Sequence, residues 1–138
     1  MEEKTISALI EQALSVRKNS YAPYSHYKVG AALMDAKGNV YTGVNVENAS
    51  YPAGKCAERT AIAKAVSEGA SDFTAIAIAG GHDTGTGILR SYCAPCGICR
   101  QVLYEHCSGD FKLILARSPS DYRIYTLREL LPFAFGIT

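Results

Sequence analysis

The sequence predicts an α/β protein with three α/β/α layers and one mixed five-stranded sheet. Segments with strand patterning alternate with segments of helical spacing along the chain, which places helices on both faces of one sheet. The last two predicted strands are separated only by residues 117–121. A parallel crossover needs about a dozen residues or more. We therefore expect the last two strands to be antiparallel neighbours.

The first half of the chain contains a helix, a hairpin and a second helix. Residues 2–19 carry apolar side chains at helical spacing, which predicts an amphipathic helix with one buried face. Residues 28–34 and 40–46 have strand patterning and are joined by a short turn, so they predict an antiparallel hairpin. Residues 57–69 predict the second helix, and Gly69 is its expected stop.

The second half alternates in the same way. Residues 75–79 are apolar throughout, as in a strand covered on both faces, and residues 80–91 predict a loop rich in Gly and Thr. A third helix is expected to begin at Pro95-Cys96, since proline favours the first helical position. The remaining predictions are strands at 112–116 and 123–125 and a short helix opened by a capping box at 126–129.

Length and composition limit the classes of partner. At 138 residues, with 48% hydrophobic and 20% charged residues, the chain predicts one domain spanning residues 1–138. The net charge of +1 and the lack of Lys/Arg runs argue against a nucleic-acid partner. No targeting segment or apolar run of membrane-spanning length is present, so we expect no membrane partner. Five Cys, an odd number, indicate reduced or metal-bound thiols and a cytoplasmic location.

A divided cluster of three thiols and one carboxylate is the main functional signal. Cys96 and Cys99 form a Cys-x-x-Cys pair, which can occupy two corners of a tetrahedron around Zn²⁺, and Cys56 supplies a third. Three protein ligands leave the fourth position open for water, which is typical of a catalytic zinc site. Glu58 lies two residues from Cys56 and is predicted to act as a proton shuttle beside that water.

The charge of this cluster needs compensation. Three thiolates and Zn²⁺ sum to −1, an excess that would raise the pKa of the bound water. Arg59 and Arg100 each follow a cluster residue and are expected to offset the charge, by hydrogen bonds to sulfur or by their field alone. The two halves of the cluster also fall at predicted helix starts, where the helix dipole stabilises thiolates.

A closed, structural zinc site is the alternative. Cys93 and Cys96 also form a Cys-x-x-Cys pair, so four thiols could surround the metal in a non-catalytic, zinc-stabilised domain. Two observations favour the open site: Cys93 precedes Pro95 and lies outside the helix start, and a closed site leaves Glu58 without a role. Cys93 and Cys107 are then expected to be small buried apolar residues.

The chain resembles the cytidine deaminases, specifically the small homotetrameric form. Its Cys-Ala-Glu and Pro-Cys-x-x-Cys segments match the pattern of zinc deaminases. The matching segments are Tyr21-Ala22-Pro23-Tyr24-Ser25, Val29-Gly30-Ala31-Ala32-Leu33, Asn45-Val46-Glu47-Asn48-Ala49, Cys56-Ala57-Glu58-Arg59-Thr60, Pro95-Cys96-Gly97-Ile98-Cys99-Arg100-Gln101-Val102 and Glu129-Leu130-Leu131-Pro132. The resemblance implies hydrolytic deamination of cytidine and 2′-deoxycytidine to uridine and 2′-deoxyuridine plus ammonia. A nucleoside-antibiotic deaminase is the enzymatic alternative, although such enzymes tend to lose the Asn-x-Glu-Asn segment that is present here.

The resemblance also implies which residues contact the nucleoside. Asn45 and Glu47 correspond to residues that hydrogen-bond the ribose 3′-hydroxyl. Tyr27 stands where the family usually has Phe, which packs against the pyrimidine, so its additional hydroxyl needs a partner. The backbone N–H of Ala57 is expected to bind the base.

Three further residues imply a shared site. Ala49 and Tyr51 match positions that approach the 5′ end of the nucleoside from a neighbouring subunit, and Phe135 matches an aromatic residue that enters a neighbour's site. The sequence itself supports association, because Phe133 and Phe135 follow Pro132 with little chain left to bury them. The resemblance supplies the number four. No role is assigned to residues 80–93.

Overall fold

The computed structural model of the protein describes residues 1–137. Four α-helices, one 3₁₀ turn and five strands follow one another along this part of the chain. They are α1 (Glu3–Arg17), β1 (Lys28–Asp35), β2 (Val40–Val44), the 3₁₀ turn (Tyr51–Ala53), α2 (Ala57–Ser67), β3 (Phe73–Gly81), α3 (Gly97–His106), β4 (Lys112–Ser118), β5 (Asp121–Thr126) and α4 (Leu127–Leu130).

The five strands form one mixed sheet in the order β2-β1-β3-β4-β5. Only β3 and β4 run parallel, and the connection between them contains α3. The last two strands are antiparallel, with Ser118 opposite Asp121 across a tight turn. The predicted sheet and the orientation of its last strand pair are therefore confirmed.

Helices cover both faces of the sheet, as predicted. One apolar core joins α1 to small side chains of the sheet such as Ala75 and Ala77. The other joins α2 and α3 to larger ones such as Ile76 and Ile78, which alternate with the alanines along β3. Period-two alternation in a strand covered on both faces thus gives the two cores different packing.

Two local signals act as the sequence predicts, and a third does not. Gly69 has a positive φ of 85°, as expected just beyond the end of α2. Thr126 accepts a hydrogen bond from the backbone of Glu129, whose side chain accepts one from Thr126 in return, so the capping box is formed. The predicted place of Pro95 at the first position of α3 is wrong: Cys96 is the N-cap residue and the helix begins at Gly97, so the proline lies just before the helix.

β2 is shorter than predicted, whereas the other four strands are longer by one residue or more at an end. β2 ends at Val44 because Val46 instead forms isolated bridges with Tyr21 and Lys55. β3 continues through Gly80 and Gly81, which the sequence assigned to a loop. A Cβ at Gly80 would lie 2.7 Å from the Sγ atom of Cys93, so glycine here makes room for a thiol against the strand.

The start of β1 and the ends of β2 and β3 meet at one end of the sheet. Lys28 lies opposite Gly81, and Gly30 lies opposite Val44. Residues that follow β2 and β3 therefore lie close to those that precede β1. Within residues 1–137, no helix is both long and apolar enough to span a bilayer.

Candidate metal centre and active site

Three cysteine sulfurs converge at this end of the sheet. The Sγ atoms of Cys56 and Cys96 are 3.8 Å apart, and those of Cys96 and Cys99 are 3.4 Å apart. A tetrahedral zinc with bonds of about 2.3 Å requires sulfurs about 3.8 Å apart, so this spacing fits the metal. Cys56, Cys96 and Cys99 are the only metal-ligand group of this kind within residues 1–137.

Two helix starts position these thiols. Cys56 is the N-cap residue of α2, Cys96 is the N-cap residue of α3, and Cys99 lies within the first turn of α3. Unpaired N–H groups and the positive end of each helix dipole therefore face the cluster, which favours thiolates. The pKa of Cys56 is lowered to about 5, because its sulfur interacts with the Cys99 thiol and with Arg59. The same interaction, together with burial, raises the pKa of Cys99.

The two arginines next to the cluster have different partners. Interactions with Cys56 and Cys99 raise the pKa of the Arg59 guanidinium, which also donates to the carbonyl of Gly54 at 3.4 Å. The buried Nε atom of Arg59 lacks a hydrogen-bond partner in the described chain. The Arg59 guanidinium therefore lies close to two of the three thiols.

Arg100 bonds carbonyl groups instead. Its Nε atom donates to Pro95 at 2.8 Å and its Nη1 atom donates to Leu130 at 2.8 Å. These bonds attach the end of α4 to the start of α3. Any charge compensation by Arg100 would act through its field, without these guanidinium atoms bonding sulfur.

Glu58 is buried beside the thiols. It is only 5% exposed, and burial raises the pKa of its carboxyl group to about 7. Cys56 raises the pKa of this carboxyl group and an interaction with Cys99 lowers it, so the carboxyl group lies next to the candidate metal ligands. A carboxyl group with a pKa near neutrality can accept and return a proton at physiological pH. Ala57, the first residue of α2, is fully buried, and its N–H has no acceptor within the helix.

The structure leaves Cys93 outside the cluster. Its sulfur packs against Gly80, and burial raises the pKa of its thiol. Cys107 packs against the core of α2 and α3, and burial raises its pKa to about 12. The fourth ligand of a closed four-cysteine site is therefore absent from the three-cysteine group in the described residues.

A cavity of about 560 Å³ opens beside the cluster. This volume lies within the range of small-molecule sites. Asn45 and Glu47, which follow β2, lie in its wall. The complete lining is Tyr24, Ser25, Asn45, Val46, Glu47, Asn48, Tyr51, Gly54, Lys55, Cys56 and Arg59.

The side chain of Asn45 is held in a fixed orientation. Its Oδ1 atom accepts hydrogen bonds from the N–H of Val29 at 2.9 Å and from the hydroxyl of Ser20. Its Nδ2 atom donates to the carbonyl of Tyr27 at 2.7 Å. An amide NH₂ group has two donors, so one N–H remains for a ligand.

Glu47 is held by the segment that precedes β1. Its Oε1 atom accepts from the N–H groups of Tyr24 at 3.0 Å and Ser25 at 3.1 Å, and its Oε2 atom accepts from the Ser25 hydroxyl. Hydrogen bonding by Ser25 lowers the pKa of Glu47, which keeps it ionised. A carboxylate accepts about four hydrogen bonds, so acceptor capacity remains. Sequence reasoning missed these serine supports, although the Tyr-Ser segment contained one of them.

Tyr27 is bonded through its carbonyl to Asn45 of the cavity wall, but it is not itself part of the cavity lining. Its ring meets that of His82 edge to face, with centroids 5.4 Å apart and an interplanar angle of 87°. Burial, together with an interaction with Cys93, raises the pKa of Tyr27 to about 12. Cys93 is therefore the neighbour of the hydroxyl that distinguishes Tyr from the expected Phe.

Several apolar residues around the site are uncovered. Tyr51 is 79% exposed in the cavity wall, shortly after the bend that contains Ala49. Phe133 and Phe135 are 99% and 72% exposed. The carbonyl of Phe135 accepts a hydrogen bond from Gln101 at 3.0 Å, which ties the tail to α3. The chain thus holds this tail against α3, while the aromatic rings of the tail stay exposed.

Comparison with known proteins identifies the family. Residues 3–114 match the model described as the cytidine and deoxycytidylate deaminase zinc-binding region. The chain belongs to this deaminase family. It is 46% identical over 127 residues to the cytidine deaminase of Halalkalibacterium halodurans, covering 92% of this chain and 91% of that protein. It is 37% identical over 136 residues to the probable cytidine deaminase of Dictyostelium discoideum, covering 99% of this chain and 87% of that protein.

Solved structures agree with this assignment. The crystal structure of cytidine deaminase from Burkholderia pseudomallei superposes with a TM-score of 0.83 at 44% identity, covering 93% of this chain and 97% of that chain. Cytidine deaminase from Mycobacterium tuberculosis gives a TM-score of 0.76 at 38% identity, covering 94% and 96% of the two chains. The chain is therefore an enzyme of the hydrolase class with the deaminase fold.

Proposed function

We propose that the protein catalyses the hydrolytic deamination of cytidine and 2′-deoxycytidine, releasing uridine or 2′-deoxyuridine and ammonia for pyrimidine salvage. The observation that carries this proposal is the spacing of three sulfurs suited to zinc, with buried Glu58 beside them. Cys56, Cys96 and Cys99 would hold the metal. Bound zinc would supply Lewis acidity and lower the pKa of water.

Glu58 acts as the proton carrier in this proposal. Its carboxylate takes a proton from the attacking water and delivers it to ring N3 of the cytosine. The oxygen of that water bonds to C4. Glu58 then takes the proton of the resulting C4 hydroxyl and delivers it to the amine, so that the C4–N bond breaks, the C4 carbonyl forms and ammonia leaves. Burial supports this role, because a carboxyl group with a pKa of about 7 exchanges protons readily near neutral pH. In this proposal the N–H of Ala57, which is the first residue of α2, binds the base, and Arg59 offsets the charge of the thiolates.

Asn45 and Glu47 support a nucleoside as the substrate. Asn45 retains one N–H donor, and ionised Glu47 retains acceptor capacity. A hydroxyl group both donates and accepts, so one ribose hydroxyl can satisfy the two side chains together. In this proposal they bind the 3′-hydroxyl, which distinguishes a nucleoside from free cytosine. The presence of this pair argues against the antibiotic deaminases that tend to lack it.

A homotetramer with shared active sites would cover the exposed aromatic residues. Tyr51 and Phe135 are mostly exposed on the single chain, and closed symmetric assembly is the usual way to bury such surfaces. In this proposal Ala49, Tyr51 and Phe135 approach a nucleoside bound mainly by a neighbour. We expect Phe135→Ala to lower both assembly stability and activity. Sedimentation velocity at the assay concentration tests this, and an active monomer would contradict the shared site.

The direct test follows the ultraviolet absorbance of cytidine after addition of the purified protein. We expect absorbance to fall, the fall to stop after treatment with a strong chelator, and added Zn²⁺ to restore it. Metal analysis should give one zinc per chain in the wild type and in Cys93→Ala. A protein that holds zinc without turning over either nucleoside would support the non-catalytic domain, and zinc loss in Cys93→Ala would support a closed site. The proposed location of the enzyme is the cytoplasm.

A further inference from the structure

The segment that joins β3 to α3 begins beside Tyr27, a residue of the proposed site, and is not part of the cavity wall. Its first residue, His82, meets Tyr27 edge to face, with the two rings nearly perpendicular. We call this ring pair the aromatic corner. Tyr27 precedes β1, whereas His82 follows β3, so the corner lies where the paired ends of these strands meet. The proposed reaction assigns a role to Tyr27 but none to His82.

One arginine contacts both sequence neighbours of His82, through the backbone of Gly81 and the side chain of Asp83. Arg17, at the end of α1, is only 9% exposed. Its Nη2 atom donates to the carbonyl of Gly81 at 2.5 Å, and its Nη1 atom pairs with Asp83 at 3.1 Å. Gly81 and Asp83 are the two sequence neighbours of His82. This largely buried guanidinium therefore restricts movement of the backbone next to His82.

The same arginine also anchors the strand that begins after Tyr27. The Nε atom of Arg17 donates to the carbonyl of Lys28 at 3.0 Å, and the Nζ atom of Lys28 pairs with Asp83 at 3.2 Å. Arg17, Lys28 and Asp83 thus connect the backbones of the two ring-bearing segments. We call these three residues the clamp.

Tyr27 is tied to the sugar side of the site as well. Its carbonyl accepts from Asn45 at 2.7 Å, and its N–H donates to the hydroxyl of Ser25 at 3.0 Å. The backbone of Tyr27 is thereby fixed, whereas rotation of its ring depends on the neighbouring side chains. His82 packs edge to face against this ring and Cys93 interacts with its hydroxyl, so both side chains restrict the rotation.

We propose that His82 is a positioning residue for the nucleoside base: it holds the Tyr27 ring in the orientation that packs against the pyrimidine, and the clamp holds His82. This inference rests on the proposed function, in which Tyr27 contacts the base. Loss of His82 then weakens substrate binding and leaves proton transfer by Glu58 intact. The effect belongs in KM more than in kcat.

The first experiment compares His82→Ala, His82→Phe and wild type with cytidine. An aromatic pair contributes enough to predict a rise in KM of about 2- to 10-fold in His82→Ala, with kcat within about 2-fold of wild type. Phe keeps an aromatic edge, so His82→Phe should restore most of the binding. Thr86→Ala is the matched control, since Thr86 is exposed in the same segment and bonds only within it. Its KM should equal that of wild type.

A second comparison separates positioning from general loosening of the segment. In a Tyr27→Leu background, His82→Ala should have no further effect on KM, because the residue acts through the Tyr27 ring. Asp83→Ala should raise KM in the same direction as His82→Ala, since it removes one partner of Arg17. Wild-type KM in His82→Ala, failure of His82→Phe to restore binding, or an undiminished effect in the Tyr27→Leu background would each overturn the proposal.

An independent measurement does not depend on turnover. The chain has only three His, so the imidazole proton resonances of the zinc-loaded protein can be assigned with His26, His82 and His106 variants. Tyr27→Leu should shift the His82 resonances, because the ring current of Tyr27 is removed. A wild-type enzyme inactive on cytidine but showing this shift would refute the proposed function while supporting the ring contact. An unchanged His82 resonance would refute the positioning role itself.

Discussion

The two faces of the sheet are packed with side chains of different size. The face beneath α1 presents mostly alanines, with Ile114 as an exception, and the face beneath α2 and α3 presents mostly larger residues, with Ala31 as an exception. The small set includes Ala32, Ala75, Ala77, Ala79 and Ala116, and the large set includes Val29, Leu33, Ile76, Ile78, Leu113 and Leu115. Alanines let α1 pack closely, whereas the branched side chains fill the layer between the sheet and the two helices whose starts carry the thiols.

The backbone of a helix nevertheless approaches a strand glycine closely on each face. A Cβ at Gly30 would lie 2.0 Å from the carbonyl oxygen of Ala13 in α1. A Cβ at Gly43 would lie 2.4 Å from the backbone nitrogen of Ala61 in α2. The first contact sets the position of a supporting helix, and the second sets the position of the helix that carries Glu58. We therefore expect catalysis to be sensitive to packing on the α2 face and much less sensitive to packing on the α1 face.

The largest effect is expected from the buried carboxyl group on the α2 face. Glu58→Gln keeps the volume of the side chain and removes its proton transfer. Turnover should fall by about 10²- to 10⁴-fold, the range typical of general acid–base groups, while zinc stays bound. Initial rates with cytidine and metal analysis measure both quantities. Glu68→Gln, at the exposed end of the same helix, is the control, and near-normal turnover in Glu58→Gln would remove the proposed role.

A smaller effect is expected on the sugar side of the same site. Glu47→Ala removes an acceptor proposed for the ribose, and the lost hydrogen bond should reduce binding by roughly 1–3 kcal/mol. The ratio of kcat/KM for cytidine to that for free cytosine should fall accordingly. Asn45→Ala should act in the same direction but also loosens Tyr27, whose carbonyl Asn45 holds. Wild-type kcat/KM on cytidine in both variants would mean that these residues do not recognise the ribose.

The most direct test of the comparison substitutes one glycine on each face. Gly30→Ala and Gly43→Ala should each lower the free energy of unfolding by about 1–3 kcal/mol, because each overpacks a close contact. Only Gly43→Ala should also change kcat per folded, zinc-loaded molecule, by a few-fold, since it displaces α2. Gly85→Ala, which meets no atom within 4 Å, controls for the substitution itself. Equal kcat changes in the two variants would contradict the proposed difference between the faces.

The parts of the fold that could be predicted depend on local patterns. Hydrophobic alternation specified the strands, the short connection after residue 116 specified the final antiparallel pair, and helix starts at Cys56 and Cys96 explained why distant thiols converge. The resemblance to a known family supplied the proposed substrates, cytidine and 2′-deoxycytidine. These signals are carried by spacing along the chain, which a single sequence displays.

The remaining features depend on contacts between distant residues. β3 extends through Gly80 because this end of the strand pairs with the start of β1, far away in the sequence, which no local pattern reveals. Arg100 follows a metal-ligand candidate, yet it bonds Leu130 on another helix. The contact of His82 with Tyr27 likewise depends on strand pairing. Residue type alone could not distinguish these roles from those of ordinary surface side chains.

Because the thiols lie at the starts of two helices, a metal that they share would also increase the lifetime of the folded protein. Cys56 and Cys96 stand 40 positions apart, so a shared metal would close a long loop and fasten α2 to α3. A ligand that binds only the folded state, present at a hundredfold its dissociation constant, adds about 2.7 kcal/mol to stability. Metal starvation would then increase the opened fraction and expose the chain to proteolysis. Through this metal-mediated link between α2 and α3, the abundance of the enzyme would follow the supply of zinc.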